Sequence, residues 1–107
     1  MTDKIVVYTT CSGAKEAEKL ARHLVENRLA ACVNVLPRVG SFYRWKGQVQ
    51  KDAEVLLIIK SSRGLFDRLR REVERLHSYE VPELIALPIV DGAQPYLNWM
   101  EQELAGG

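Results

Sequence analysis

Apolar residues change their period several times along this chain, and each change marks an element. "KIVVYTT" (4 to 10) is a β-branched and aromatic run of strand length, followed by Ser12 and Gly13 as turn or cap residues. From Ala14 to Arg28, the apolar positions Ala17, Leu20, Ala21 and Leu24 recur at helical spacing with Lys, Glu and Arg between them, which predicts an amphipathic helix. "AACVNVLPRVGSFYRW" (30 to 45) reads as a long strand interrupted at Pro37 and Gly40, where proline cannot donate to the ladder and a bulge is expected. Lys46 and Gly47 can turn the chain into "QVQKDAEVLLIIKS", which alternates at first and becomes wholly apolar from Val55 to Ile59, as a strand buried on both faces does. Phe66, Leu69, Val73 and Leu76 predict a second amphipathic helix that ends near His77. "ELIALPIV" (83 to 90) is a short apolar strand, and "QPYLNWMEQEL" (94 to 104) a closing helix with Pro95 in its first turn. Residues 105 to 107, "AGG", are the one expected loose end.

The predicted order βαββαβ plus a terminal helix is that of an α+β, ferredoxin-like fold, in which both helices cover one face of a four-stranded antiparallel sheet. Three of the strands are apolar on both sides, and only the short third helix is left for the second face. Burial of that face by other copies of the chain is the economical solution, so a homo-oligomer is expected.

Composition narrows the function classes. The 107 residues suit one domain (1–107), and 15 Lys plus Arg against 14 Asp plus Glu leave a net charge of +1. No global field draws the protein to nucleic acid or to an anionic membrane. Cys11 and Cys32 form no Cys-x-x-Cys pair and do not read as a disulfide framework, so a reducing cytoplasm is the expected compartment. The N-terminus lacks a signal-peptide pattern, and no run of about 18 apolar residues suggests a membrane span.

The densest group of ionisable side chains is "LHSYEVPEL" (76 to 84), where His77, Tyr79, Glu80 and Glu83 surround Pro82 at a helix-to-strand junction, so that His77, Tyr79 and Glu83 can converge on one place. The bland alternative is that His77 caps the helix C-terminus and Pro82 restarts the chain. "SFYRWKG" puts Ser41, Tyr43 and Trp45 on one face of the long strand and Phe42 and Arg44 on the other, where rings serve packing more often than ligand stacking. Cys32 reads as a small buried hydrophobe or, more sharply, as a soft-metal ligand. Cys11 sits at a strand exit beside a helix N-terminus, a position that can lower a thiol pKa. His23 lies on a polar helix face and reads as solvated. Nothing matches a nucleophile elbow, a phosphate loop or a His-x-x-x-His pair, so catalysis is disfavoured, with a His77 and Glu83 acid-base pair as the residual enzyme reading. RNA binding is disfavoured because "EVLLIIKS" carries no stacking aromatics.

The pieces "VYTT", "RLAACVNVLP", "SFYRWKG", "EVLLIIKS", "LHSYEVPEL" and "YLNW", in this order and at these spacings, resemble the CutA family of divalent-cation tolerance proteins over nearly the whole chain. The resemblance implies a homotrimer similar in architecture to the PII signal proteins. It also implies intersubunit clefts gathering Tyr43, Trp45, Lys60, His77, Tyr79, Glu83 and Trp99, with Cys32 as the family's strand cysteine. Copper or another divalent cation is the implied ligand, with no organic cofactor and no agreed reaction. His77, Cys32 and Glu83 are the expected metal ligands, with His77 suited to copper(II) and Cys32 to copper(I) in separate sites. Ser78 stands where the family usually has proline, and Ser61 where it often has threonine. Two readings stand side by side: a metal-responsive trimer acting by binding, and a PII-like sensor or scaffold whose cleft takes a small anion through Lys60 or a protein partner.

Overall fold

A computed structural model describes residues 2–106. The elements are β1 (Lys4–Cys11), α1 (Ala14–Glu26), β2 (Cys32–Trp45), β3 (Gln48–Ser62), a single 3-10 turn (Arg63–Leu65), α2 (Phe66–Leu76), β4 (Ile85–Pro88) and α3 (Gln94–Glu103). The sheet order is β2-β3-β1-β4 with every neighbouring pair antiparallel, the expected ferredoxin-like arrangement.

The local rules explain the boundaries. α1 ends two residues before the expected Arg28, because Arg28 turns into the left-handed region at φ 57°. Lys46 and Gly47 both take positive φ, 50° and 82°, and join Trp45 to Gln48 in a two-residue turn whose hand suits the twist of the strands. The expected interruption of β2 is a bulge: Pro37 and Arg38 together oppose the single residue Val55, with Arg38 at φ 59°. β4 is shorter than the expected 83 to 90, pairing only with Ile5 to Tyr8, although the Ile89 N–H still donates to the Lys4 carbonyl at 2.9 Å. The expected loose end is partly tied, since the Ala105 N–H donates to the Arg28 carbonyl at 2.8 Å and Ala105 packs on the core. Gly107 lies outside the described residues.

Register sorts the strands into two faces. Val7, Leu57 and Ile59 lie on one face and are buried under Leu20 and Leu24 of α1 and Leu69 and Val73 of α2. The opposite face carries Val6, Tyr8, Leu56 and Ile58, all only half-buried, with Leu36, Ile85 and Leu87 exposed at its edges. α3 covers one end of that face, where Glu101 pairs with the buried Lys4. The remainder is the uncovered apolar surface expected from the two-sided strands. Beyond the bulge β2 and β3 run on as a hairpin arm, and the molecule measures 44 Å along its longest axis against 25 Å and 23 Å across.

Candidate functional site

A cavity of about 490 Å³ opens between the hairpin arm and the turn that follows α2. Side chains alternate along β2, so Ser41, Tyr43 and Trp45 line it together while Phe42 points away and is exposed. β3 answers with Asp52 and Glu54, which the same alternation puts on the face of Leu56 and Ile58, the face the first two helices leave bare. The turn contributes Tyr79 to Glu83, with Pro82 half-buried in the wall. Thr10, at the end of β1, completes the lining.

Four acidic residues therefore line one space, Asp52, Glu54, Glu80 and Glu83, and no Lys, Arg or His lines it among the described residues. Two phenols hold two of the acids. The Tyr79 hydroxyl donates to Glu54 Oε2 at 2.7 Å and the Tyr43 hydroxyl donates to Asp52. Burial and the Glu54 carboxylate push the Tyr79 phenol well above its ordinary range, and the bond to Asp52 raises that of Tyr43, so both keep their protons and act as fixed donors. Glu54 is itself buried at the cleft floor, which makes its charge the least hydrated of the four. A cation entering here finds oxygen donors, two aromatic neighbours and a field of one sign.

The sequence-predicted residues divide into three places. Tyr43, Trp45, Tyr79 and Glu83 do meet in this cleft. His77 lies behind it, buried at the C-cap of α2 with its ring centroid 4.7 Å from that of Tyr79. Its Nδ1 accepts the Tyr79 N–H at 3.0 Å, so the ring proton is on Nε2, which donates to the Thr10 carbonyl at 2.6 Å. Both nitrogens are thus engaged by the backbone, and His77 sits at the C-cap of α2 without its ring bonding a carbonyl of that helix. Cys32 and Lys60 are register partners on the bare face, away from the cleft. The Lys60 ammonium donates to Asn34, and Cys32 lies beside the Tyr96 hydroxyl of α3, whose ring is 5.4 Å from that of Trp99. Within one chain, then, His77, Cys32 and Glu83 do not form a common ligand set, and Lys60 and Trp99 lie outside the cleft.

Two other expectations are corrected. The Cys11 thiol is pushed up to about 12, chiefly by complete burial and then by the Glu16 carboxylate beside it, the reverse of the lowering that a helix N-terminus suggests. His23 is not merely solvated: its Nε2 meets Glu72 Oε1 at 2.7 Å and ties α1 to α2. The residues that sequence reasoning passed over are Asp52 and Glu54. The signal for both was present in "QKDAE", because an acid at every second position of a hairpin strand falls on a single face.

A family model described as CutA1 divalent ion tolerance protein matches residues 5–103. The divalent-cation tolerance protein CutA of Thermus thermophilus is 45% identical over 97 residues, covering 91% of this chain and 94% of that one. The Arabidopsis thaliana protein named CutA, chloroplastic, is 47% identical over 97 residues, 91% of this chain but 53% of its own length. The chain spans about half the length of the mammalian relatives as well. The crystal structure of CutA1 from Oryza sativa has the same fold, with a TM-score of 0.96 at 43% identity over 99% of this chain and 97% of that one.

Proposed function

Because the chain belongs to the CutA1 divalent ion tolerance family, we propose that it acts by holding a divalent cation in the acidic cleft, without turnover, in an assembly of three identical chains that covers the bare sheet face. The observation that carries the reading is that Asp52, Glu54, Glu80 and Glu83 line one cavity with no basic side chain among its described lining residues. Four like charges repel, and a divalent ion entering the cavity lowers that repulsion. Oxygen donors accept many such ions. Copper(II) stands highest among first-row divalent ions for a given donor set, so it is the most sensitive test ion. The same acidity argues against an anionic metabolite in this cleft, and Lys60, the residue expected to hold one, points elsewhere.

Assembly is supported by the apolar surface of Val6, Tyr8, Leu36, Leu56, Ile58, Ile85 and Leu87, which runs on into the cleft through the shared face of β3. A neighbouring chain seated there would border the cleft and complete its open side. Both cysteines are free thiols, the state that a reducing cytoplasm maintains.

Two experiments test the reading. Trp45 lines the cleft, and Trp99→Phe leaves it the sole tryptophan, so its quenching by paramagnetic copper(II) reports occupancy. Adding Glu54→Gln and Glu83→Gln to that background should weaken the titration by roughly tenfold or more, about 1.4 kcal/mol. Equal affinity in both proteins rejects the cleft as the cation site. Light scattering at micromolar concentration should give three chains per particle, and a folded monomer would reject the assembly.

A further inference from the structure

The ion pairs of the helix layer leave two positive charges over. Each acid of α2 is already held: Asp67 and Glu74 by Arg70, at 2.6 Å and 2.9 Å, and Glu72 by Arg75 at 2.8 Å and by His23 of α1 at 2.7 Å. Arg68 has no hydrogen bond or ion pair among the described residues, and Arg71 comes only within 3.6 Å of Asp67, a carboxylate that Arg70 already engages. Three positions apart, Arg68 and Arg71 are neighbours on the helix surface. Both line one open cavity of about 430 Å³, whose other walls are Asn27, Leu29 and Glu72. We propose that this cavity is an oxyanion site in which Arg68 and Arg71 hold the phosphoryl group of a small phosphomonoester.

Two features nearby ordinarily repel an anion, and the chain neutralises both. The first is the Glu72 carboxylate, whose charge is balanced by Arg75 and His23. The second is the C-terminal end of α1, where open helix carbonyls would present negative charge. Here the His23 carbonyl accepts the Asn27 N–H at 3.1 Å and the Asn27 side-chain amide at 2.8 Å. The Leu24 carbonyl accepts the N–H groups of Leu29 and Ala30, and that of Val25 accepts the Arg28 N–H. What remains facing the cavity is a pair of guanidiniums, each a planar fork of donors that matches phosphate oxygens two at a time. Leu29 is buried and adds an apolar wall. The cavity has the size of a small-molecule pocket and exceeds what a phosphoryl group fills, which leaves room for an organic body against Leu29.

The site is separate from the acidic cleft. α1 and α2 cover the face of Val7, Leu57 and Ile59, whereas the cleft lies on the face of Leu56 and Ile58. Assembly through the bare face would leave the helix layer open to solvent, so the oxyanion site stays accessible in the assembled protein. A cation on one side of the sheet and an anion on the other can then be held at once.

The test titrates sodium phosphate, and separately glycerol phosphate, into isotope-labelled protein at constant ionic strength, following the amide resonances of Asn27 and Leu29. The protein is first stripped with a chelator, so that no ion in the cleft recruits phosphate. Both probes should give saturable shifts, and glycerol phosphate should bind more tightly than inorganic phosphate. Arg68→Gln and Arg71→Gln remove exposed side chains without a hydrogen bond, so they fold, and each should weaken binding by about threefold to fivefold. The double variant should lose saturation. Arg22→Gln takes the same charge from the exposed side of α1, outside the cavity, and should bind like the parent, as should Glu54→Gln in the cleft. Shifts that never saturate, that survive in the double variant, or that weaken equally in Arg22→Gln overturn the site. Loss of binding in Glu54→Gln would assign the anion to the cleft instead, and equal affinity for the two probes would overturn the organic part of the ligand.

Discussion

Neighbouring residues of β3 meet opposite fates: Leu57 and Ile59 disappear beneath α1 and α2, while Leu56 and Ile58, one position away, stay half-open. All four are large aliphatics, so composition does not separate them. The difference lies in what the chain can reach. The two crossover helices, after β1 and after β3, pack on one face, and only α3 remains for the other. A sheet whose strands are apolar on both sides but which carries one full layer has a core made by its own chain and, next to it, surface whose burial needs another copy. The acidic cleft sits on the second kind of surface, so assembly should affect it more than it affects the closed core.

Mutations on the two faces should therefore fail differently, and this is the largest effect expected. Leu57→Ala opens a cavity in the closed core and should cost about 2–5 kcal/mol in urea unfolding at every protein concentration. Ile58→Asp, one residue along, should instead abolish assembly and leave a folded subunit, visible as a change in particle mass and in the concentration dependence of unfolding. If Ile58→Asp remained fully assembled, the bare face would not be an interface.

The hairpin arm carries a smaller effect, because it has no helix layer and depends on its turn. Gly47 holds φ at 82°, where a side chain is strained, although nothing lies near enough to collide with an added Cβ. Gly47→Ala should destabilise by about 1–2 kcal/mol through backbone strain alone. Lys46, a non-glycine at φ 50°, should gain from Lys46→Asn by less than about 1 kcal/mol, since asparagine tolerates that region better. A stability unchanged by both substitutions would show the turn to be free to change conformation.

What the sequence made legible follows the range of each interaction. β1, α1, the arm with its Lys46–Gly47 turn, and α2 are written in local periodicity, and their bounds fall within a residue or two. The shortness of β4 was not, because "ELIALPIV" is apolar throughout and only its pairing with the last available edge of β1 decides where it stops. Tyr43, Trp45, Tyr79 and Glu83 were found because they cluster in two short motifs. Glu54 was missed although the alternation of the hairpin pointed to it, and Glu16 carried no local signal at all. Its neighbours Cys11 and His77 lie five and 61 positions away in sequence. The surroundings of His77 are hidden for the same reason, since its Nε2–H goes to a backbone carbonyl at Thr10 and no motif records that.

The closed face also has an outer seam, and its pH response offers the smallest test of the contrast. Glu72 of α2 accepts from Arg75 at 2.8 Å and from His23 of α1 at 2.7 Å, fastening the two helices above the core. Those partners, Arg75 first, lower its carboxyl from the ordinary 4.5 to about 2. A carboxylate whose folded pKa is depressed contributes stability that is complete above its unfolded value and disappears as the pH falls through the folded one. The seam should therefore be intact at pH 5 and lost between about 4.5 and 2. Glu72→Gln keeps the shape and removes the charge, so the urea midpoints of parent and variant should differ at pH 5 and converge toward pH 2. Asp3 and Asp67, whose carboxyls are also lowered by basic neighbours, titrate equally in both proteins and cancel from the difference. A gap that stayed constant from pH 5 to pH 2 would mean that the Glu72 charge does not hold the helices together. A gap that changed with protein concentration would place the seam at an interface, on the face that this chain closes by itself.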